Sequence, residues 1–353
     1  MRKLLISTAA VLALSTGAAF AGDGNNAKTN VNGTNTTATV TQTAGNNNRA
    51  EVDITAGVQN SNTIVTQNGN DNFADVLQSG ETLNSNATVT QNGNDAEANI
   101  RQTDNANLVN ATITQNGGST LDTPSPTNAA NIAQSRVNNG SDAVITQTAE
   151  GGGRPNVANI TQENLGSGSP IDSSFQGLAT ITQIGAFNIG TINQIAPDGG
   201  AGSSFMQANL TQEGNVNFAQ INQTGNNVIT SSTQNGTNNV LLVAQGGSLA
   251  SDFSLRINTT QLGDNNVADI DQNGNSNNDS DGITLTQDGT SNSAVFSQAG
   301  TLNAINVTQD GSLNNAEFSQ GGTNNSLVLT QTGDGNEFTG VLGGTDNTVV
   351  VTQ

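Results

Sequence analysis

A glutamine returns every 11 residues through the C-terminal part of this chain: Gln287, Gln298, Gln309, Gln320 and Gln331, then Leu342 in the same slot, then Gln353. Followed towards the N-terminus, the slot holds Gln272, Gln261, Gln245, Gln234, Gln223, Gln212, Gln194, Gln183, Gln162, Gln147, Gln134 and Gln115. It continues through Gln102, Gln91, Gln78, Gln67 and Gln42, with Ile54 and Val31 as the other exceptions. Self-similarity at a short fixed period marks a stacked repeat fold, in which each unit buries its apolar side only against its neighbours. Eleven residues accommodate a strand of about six and a turn of about five. Gln67, Gln91 and Gln115 are 24 apart with the steps between them alternating 11 and 13, which predicts two strands per coil joined by unequal turns.

Within a unit the pattern has period two, the signature of a strand. In Asn303–Gln309 the inward set is Asn303, Ile305, Val307 and Gln309, and the outward set is Ala304, Asn306 and Thr308. Gly follows the Gln and two or three Asn or Asp residues complete the turn, because these types tolerate positive φ. An isolated buried amide is costly. Stacked in register at about 4.8 Å, each Gln or Asn can bond to the one above and the one below. The expected fold is therefore all-β: a β-solenoid of strand-turn-strand coils over residues 31–353, 22 to 24 residues per coil, with open, uncapped ends. The slots of Val40, Ile113, Val307 and Leu329 should point inward beside Gln42, Gln115, Gln309 and Gln331.

Composition narrows the alternatives. Of 353 residues only 32% are hydrophobic and 3% aromatic, too few for one conventional core of this size. Such a composition also resembles disorder, but disordered chains have no reason to set Val or Ile two residues before Gln in unit after unit. Proline cannot donate to a ladder, and all five prolines (Pro124, Pro126, Pro155, Pro170, Pro197) sit in or beside the longer gaps. Those gaps, Gly117–Thr127, Glu150–Pro155, Gly166–Ser174, Pro197–Ser204 and Gly246–Phe253, fall where turns are expected.

Met1–Ala21 has the form of a secretory signal peptide: Arg2 and Lys3, a mostly apolar Leu4–Leu14, and Ala19-Phe20-Ala21 at the cleavage site. The apolar run is too short to span a bilayer, so no membrane insertion is expected. Residues 22–30 read as a short polar segment before the repeats. With 8 basic and 28 acidic residues the net charge is −20, or −22 once Arg2 and Lys3 leave with the signal peptide. No basic face is available for nucleic acid. An exported chain without cysteine has no disulfide framework, so the repeat itself must hold the fold.

The phrase Gln67-Asn68-Gly69-Asn70-Asp71-Asn72-Phe73-Ala74-Asp75-Val76-Leu77-Gln78 resembles the repeat of curlin, the subunit of bacterial curli fibres. The resemblance covers nearly all of the chain from about Val31 to Gln353. It implies a secreted structural protein that polymerises with copies of itself into functional amyloid fibres at a Gram-negative cell surface. Such fibres serve the biofilm matrix, adhesion and surface colonisation. By the same resemblance the partners are a nucleator subunit and an outer-membrane curli export channel. This chain carries many more repeats than curlins do, and its polar segment before them is short, so a soluble repeat-built surface adhesin or a nucleator stays open as the alternative.

Other chemistries find less support. There is no His, and the carboxylates are scattered through turns and outward slots, so no acid–base pair or activated nucleophile is assembled and no enzyme or cofactor is expected. Asn277, Asp279, Asp281, Gly282 and Asp288 approximate an oxygen-ligand loop for calcium, but turn conformation alone explains them, and no metal site is expected. Outward Thr pairs (Thr39/Thr41, Thr88/Thr90, Thr112/Thr114, Thr180/Thr182, Thr284/Thr286) would suit an ice-binding array, which rungs such as Asp75/Leu77 and Asp269/Asp271 interrupt.

Overall fold

A computed structural model describes residues 23–104, 106–117, 128–137, 140–149, 155–165, 175–196, 204–247, 255–274 and 282–353. The described chain forms 26 strands, numbered β1 to β26 in chain order, beginning with β1 (Asn26–Val31), β2 (Thr37–Ala44), β3 (Arg49–Ile54) and β4 (Asn62–Asn68). All odd-numbered strands make one 13-stranded sheet and all even-numbered strands a second, each in strict chain order. Every pairing is parallel, and the register brings identical slots together: Gln67 opposite Gln91, Val65 opposite Val89, Ala74 opposite Ala98. The chain is the β-solenoid that its period predicts, with two parallel strands per coil.

Alternation along each strand decides what is buried. In β6 (Asn86–Asn92), Ala87, Val89 and Gln91 are buried while Asn86 and Asn92 are exposed. The Ala and Val or Ile columns of both sheets meet in one continuous core running from Ala38 to Leu329. Ile113, Val307 and Leu329 are at most 1% exposed, and Val40 packs half-buried at the core's end. Each such side chain contributes about 1.5–3 kcal/mol by leaving water. In β25 (Glu337–Leu342) the two core slots are exchanged: Phe338 stands in register with Ala316, and Gly340 with Phe318. The Phe318 and Phe338 rings stack with centroids 6.0 Å apart, and a side chain at Gly340 would press on both.

The structure adjusts the sequence reading at three places. Stacking starts earlier than the repeat phrase does, because β1 already pairs with β3 from Asn26, inside the 22–30 segment. Coil length is not confined to 22–24 residues: Gln287 and Gln309 are 22 apart, but Gln115 and Gln147 are 32 apart and Gln147 and Gln183 are 36 apart. Across each insertion the flanking strands keep Gln opposite Gln. Most of each insertion, the 1–21 leader, and Asn277, Asp279 and Asp281 lie outside the described residues.

The third adjustment concerns the outer faces. The outward position before Gln in the even-numbered sheet is Thr in every strand: Thr41, Thr66, Thr90, Thr114, Thr146, Thr182, Thr211, Thr233, Thr260, Thr286, Thr308, Thr330 and Thr352, all in register. Asp75/Leu77 and Asp269/Asp271, read from sequence as interruptions of this array, belong to β5 (Phe73–Gln78) and β19 (Val267–Gly274) in the other sheet. The two middle outward columns of the even-numbered sheet carry no charged residue. The same columns of the odd-numbered sheet carry Lys28, Glu51, Asp53, Asp75, Arg101, Asp269, Asp271 and Glu317.

Candidate functional site: the stacked amide ladders

Each Gln of the repeat ends the buried face of its strand, and its side chain turns along the solenoid axis. In the even-numbered sheet the Nε2 of Gln42 donates to Oε1 of Gln67 at 2.8 Å, and Gln67 passes the bond to Gln91 at 2.9 Å. The chain of amides continues through Gln115, Gln147, Gln183, Gln212, Gln234, Gln261, Gln287, Gln309 and Gln331 to Gln353 without a break. The odd-numbered sheet holds a second ladder through Gln78, Gln102, Gln134, Gln162, Gln194, Gln223, Gln245, Gln272, Gln298 and Gln320. Val31 and Ile54 precede it and Leu342 follows it in the same register. In both ladders every Gln–Gln bond is donated by Nε2 towards the C-terminal coil.

The second proton of many of these amides crosses to the opposite sheet. Gln91 Nε2 also reaches the main-chain oxygen of Phe73 at 2.8 Å, and Gln223 Nε2 that of Gln207 at 2.8 Å. The Gln therefore closes the edge of the sandwich as well as linking coils. Burying these amides is tolerable because all but the last of the odd-numbered ladder, Gln320, pass a bond to the next, and bonds in a low-dielectric interior strengthen one another along a chain.

Asparagines at the turns run the other way. The main-chain N–H of Asn217 donates to Oδ1 of Asn188 at 3.1 Å, and Asn239, Asn266, Asn292, Asn314 and Asn336 repeat the contact, each donating towards the N-terminal coil. Asn217, Asn239, Asn266, Asn292 and Asn314 meanwhile donate Nδ2 to the carbonyl of the turn glycine one coil further on, as Asn217 does to Gly236 at 3.0 Å.

The glycine after Gln is required by this stacking. Gly69 has φ 125°, and a Cβ there would fall on the carbonyl oxygen of Gly93 in the next coil. The residue before the turn Asn is left-handed in most coils, as at Asn47, Asp71 and Asn238, the types that accept this conformation most readily. Val216 takes the same role at φ 60°, where a β-branched side chain is strained.

Sequence reasoning named the Gln slots but missed two partners. Thr63 and Thr230 stand in slots that other coils give to Ala, and their hydroxyls meet Oε1 of Gln78 at 3.0 Å and of Gln245 at 2.9 Å. Asp75 lies on the outer face beside Arg101 at 3.7 Å, yet burial dominates and pushes its carboxyl up. Glu51 is held below the usual carboxylate range by its bond to Lys28. No group of three or more His, Cys, Asp or Glu converges among the described residues. The arrangement is a template: each coil presents the donors, acceptors and apolar slots that another coil needs.

A family model described as the curlin associated repeat matches residues 69–103, 279–311 and 301–333. No curated protein matches the chain significantly.

Proposed function

Starting from a chain that carries curlin associated repeats, we propose that it is a secreted structural subunit that polymerises into curli-like functional amyloid fibres. The observation that carries this reading is the identity of successive coils. At most parallel steps Gln meets Gln, turn Asn meets turn Asn, and one buried aliphatic side chain meets another, so a coil from a second copy can satisfy the same pattern. The opposed directions of the Gln and Asn ladders favour one orientation of that copy, since a reversed coil would set donor against donor. Stacking identical units at about 4.8 Å is the geometry of cross-β fibres.

On this reading the principal partner is another copy of the chain, and the role is structural, not enzymatic. The fibres lie outside a Gram-negative cell, in the biofilm matrix, where they serve adhesion and surface colonisation. An outer-membrane export channel and a nucleator subunit complete the system. The test is to follow purified protein in dilute neutral buffer by Thioflavin fluorescence and fibre diffraction. We expect a lag that preformed seeds abolish, with reflections at the strand and sheet spacings. A folded monomer persisting for days by ultracentrifugation would instead favour a soluble adhesin.

A further inference from the structure

We propose that the outer face of the even-numbered sheet binds ice. The Thr41-to-Thr352 column is unbroken over 13 strands, a length of about 58 Å at the parallel-strand spacing. From β2 to β12 (Phe175–Ala186) the neighbouring outward column holds Thr39, Thr88, Thr112 and Thr180, with the β-branched Ile64 and Val144 between them. Hydroxyls and methyls therefore repeat at about 4.8 Å across the strands and about 6.6 Å along them. Both repeats are close to oxygen spacings in hexagonal ice.

Three properties separate this face from an ordinary strand surface, where Thr is common for its propensity alone. It has no charged residue in its two middle columns, although the chain carries a net charge of −20 and its other outer face carries eight charges there. Among the described residues the Thr hydroxyls of both columns have no side-chain hydrogen-bond partner, which leaves their donors and acceptors for water. The Gln ladder alongside is continuous from strand to strand, the kind of side-chain ladder that stabilises flatter sheets over many strands. Water bridging such an array is held at nearly full hydrogen-bond strength. Methyl groups between the hydroxyls leave that water few other orientations.

The test uses the purified full chain and two paired variants of equal added charge. Thr114→Lys with Thr182→Lys disturbs the proposed face; Ala133→Lys with Thr161→Lys alters the opposite one. Protein is partitioned between a slowly growing ice hemisphere and the remaining liquid, and suppression of ice recrystallisation is read in parallel. The native chain and the Ala133/Thr161 variant should enter the ice and arrest grain growth. The Thr114/Thr182 variant should be rejected into the liquid while keeping the native far-ultraviolet circular dichroism. A neutral, bulky Thr114→Tyr with Thr182→Tyr variant, which a strand accepts, repeats the test should the lysines perturb folding. Exclusion of the native chain from ice overturns the proposal, as does undiminished uptake of a folded face variant. A face variant that changes only lateral bundling of fibres would assign the surface to a second copy instead.

Discussion

Leu342 stands in register with Gln320, and the Nε2 of Gln320, buried at 1% exposure, has no hydrogen-bond partner among the described residues as a result. Ten glutamines lead up to this point in the odd-numbered sheet, and the ladder stops for want of one acceptor. A buried unsatisfied donor costs about 1–3 kcal/mol. Leu342 is itself only half-buried, so less is lost by replacing it. Leu342→Gln should therefore raise stability by about 1 kcal/mol, read as an increased midpoint in guanidinium unfolding. An unchanged or lowered midpoint would mean that the amide of Gln320 finds water.

Val216 occupies the left-handed turn position that Asn238 and Asn265 hold in the following coils. That conformation costs an L-residue about 1–2 kcal/mol, least for Asn. Val216→Asn should stabilise the chain by about 1 kcal/mol by the same measurement. Val216 is exposed, so little packing opposes the gain.

The opposite result is expected at Gly311. Its φ is 125°, and a Cβ would collide with the carbonyl oxygen of Gly333 one coil on. Gly311→Ala should cost about 2 kcal/mol or more and slow assembly, because the same spacing recurs at each added coil. Gly321→Ala, where an added Cβ meets nothing and φ is not left-handed, is the matched control.

Acidification should stabilise the fold and speed polymerisation. Burial raises the carboxyls of Asp75 and Asp95 in the folded state, so folding takes up protons and their penalty is relieved as pH falls through the carboxylate range. Glu51 acts in the other direction: its lowered folded value contributes stability above the unfolded value that is lost as pH falls through the folded one. Its partner Lys28 stands in solvent at the surface, so the share of this pair is small. Protonation also reduces repulsion between chains of net charge −20. Lag times should shorten from pH 7 towards the sequence pI near 4.1. Lengthening over that range would show that specific carboxylate pairs outweigh net repulsion.

Val307 sits in the buried column of β22 (Ala304–Ser312), bonded on both sides through β20 (Gly282–Thr290) and β24 (Ser326–Thr332). Val307→Pro removes a ladder donor inside a fully paired strand, at about 3 kcal/mol or more. Thioflavin kinetics should show a greatly lengthened lag, and seeds of native fibre should shorten it only in part. Normal kinetics would place the growing edge away from these coils.

Much of this molecule is legible in one dimension because a solenoid is nearly one-dimensional: each coil touches only its neighbours, so the period that sets the strands also sets their partners. Gln309 opposite Gln331, Val307 opposite Leu329 and the confinement of proline to turns follow from spacing alone. What spacing could not assign was which sheet a given strand enters. The Thr pairs and the Asp269/Asp271 pair have the same period-two form, and only the closure of two strands per coil sends one kind to a face whose middle columns are uncharged and the other to one whose middle columns are acidic. The directions of the amide chains, the second bond of Gln91 to Phe73, and the help of Thr63 to Gln78 were equally out of reach. They depend on the distance between two sheets facing each other across the core, which the pattern within a single strand does not contain.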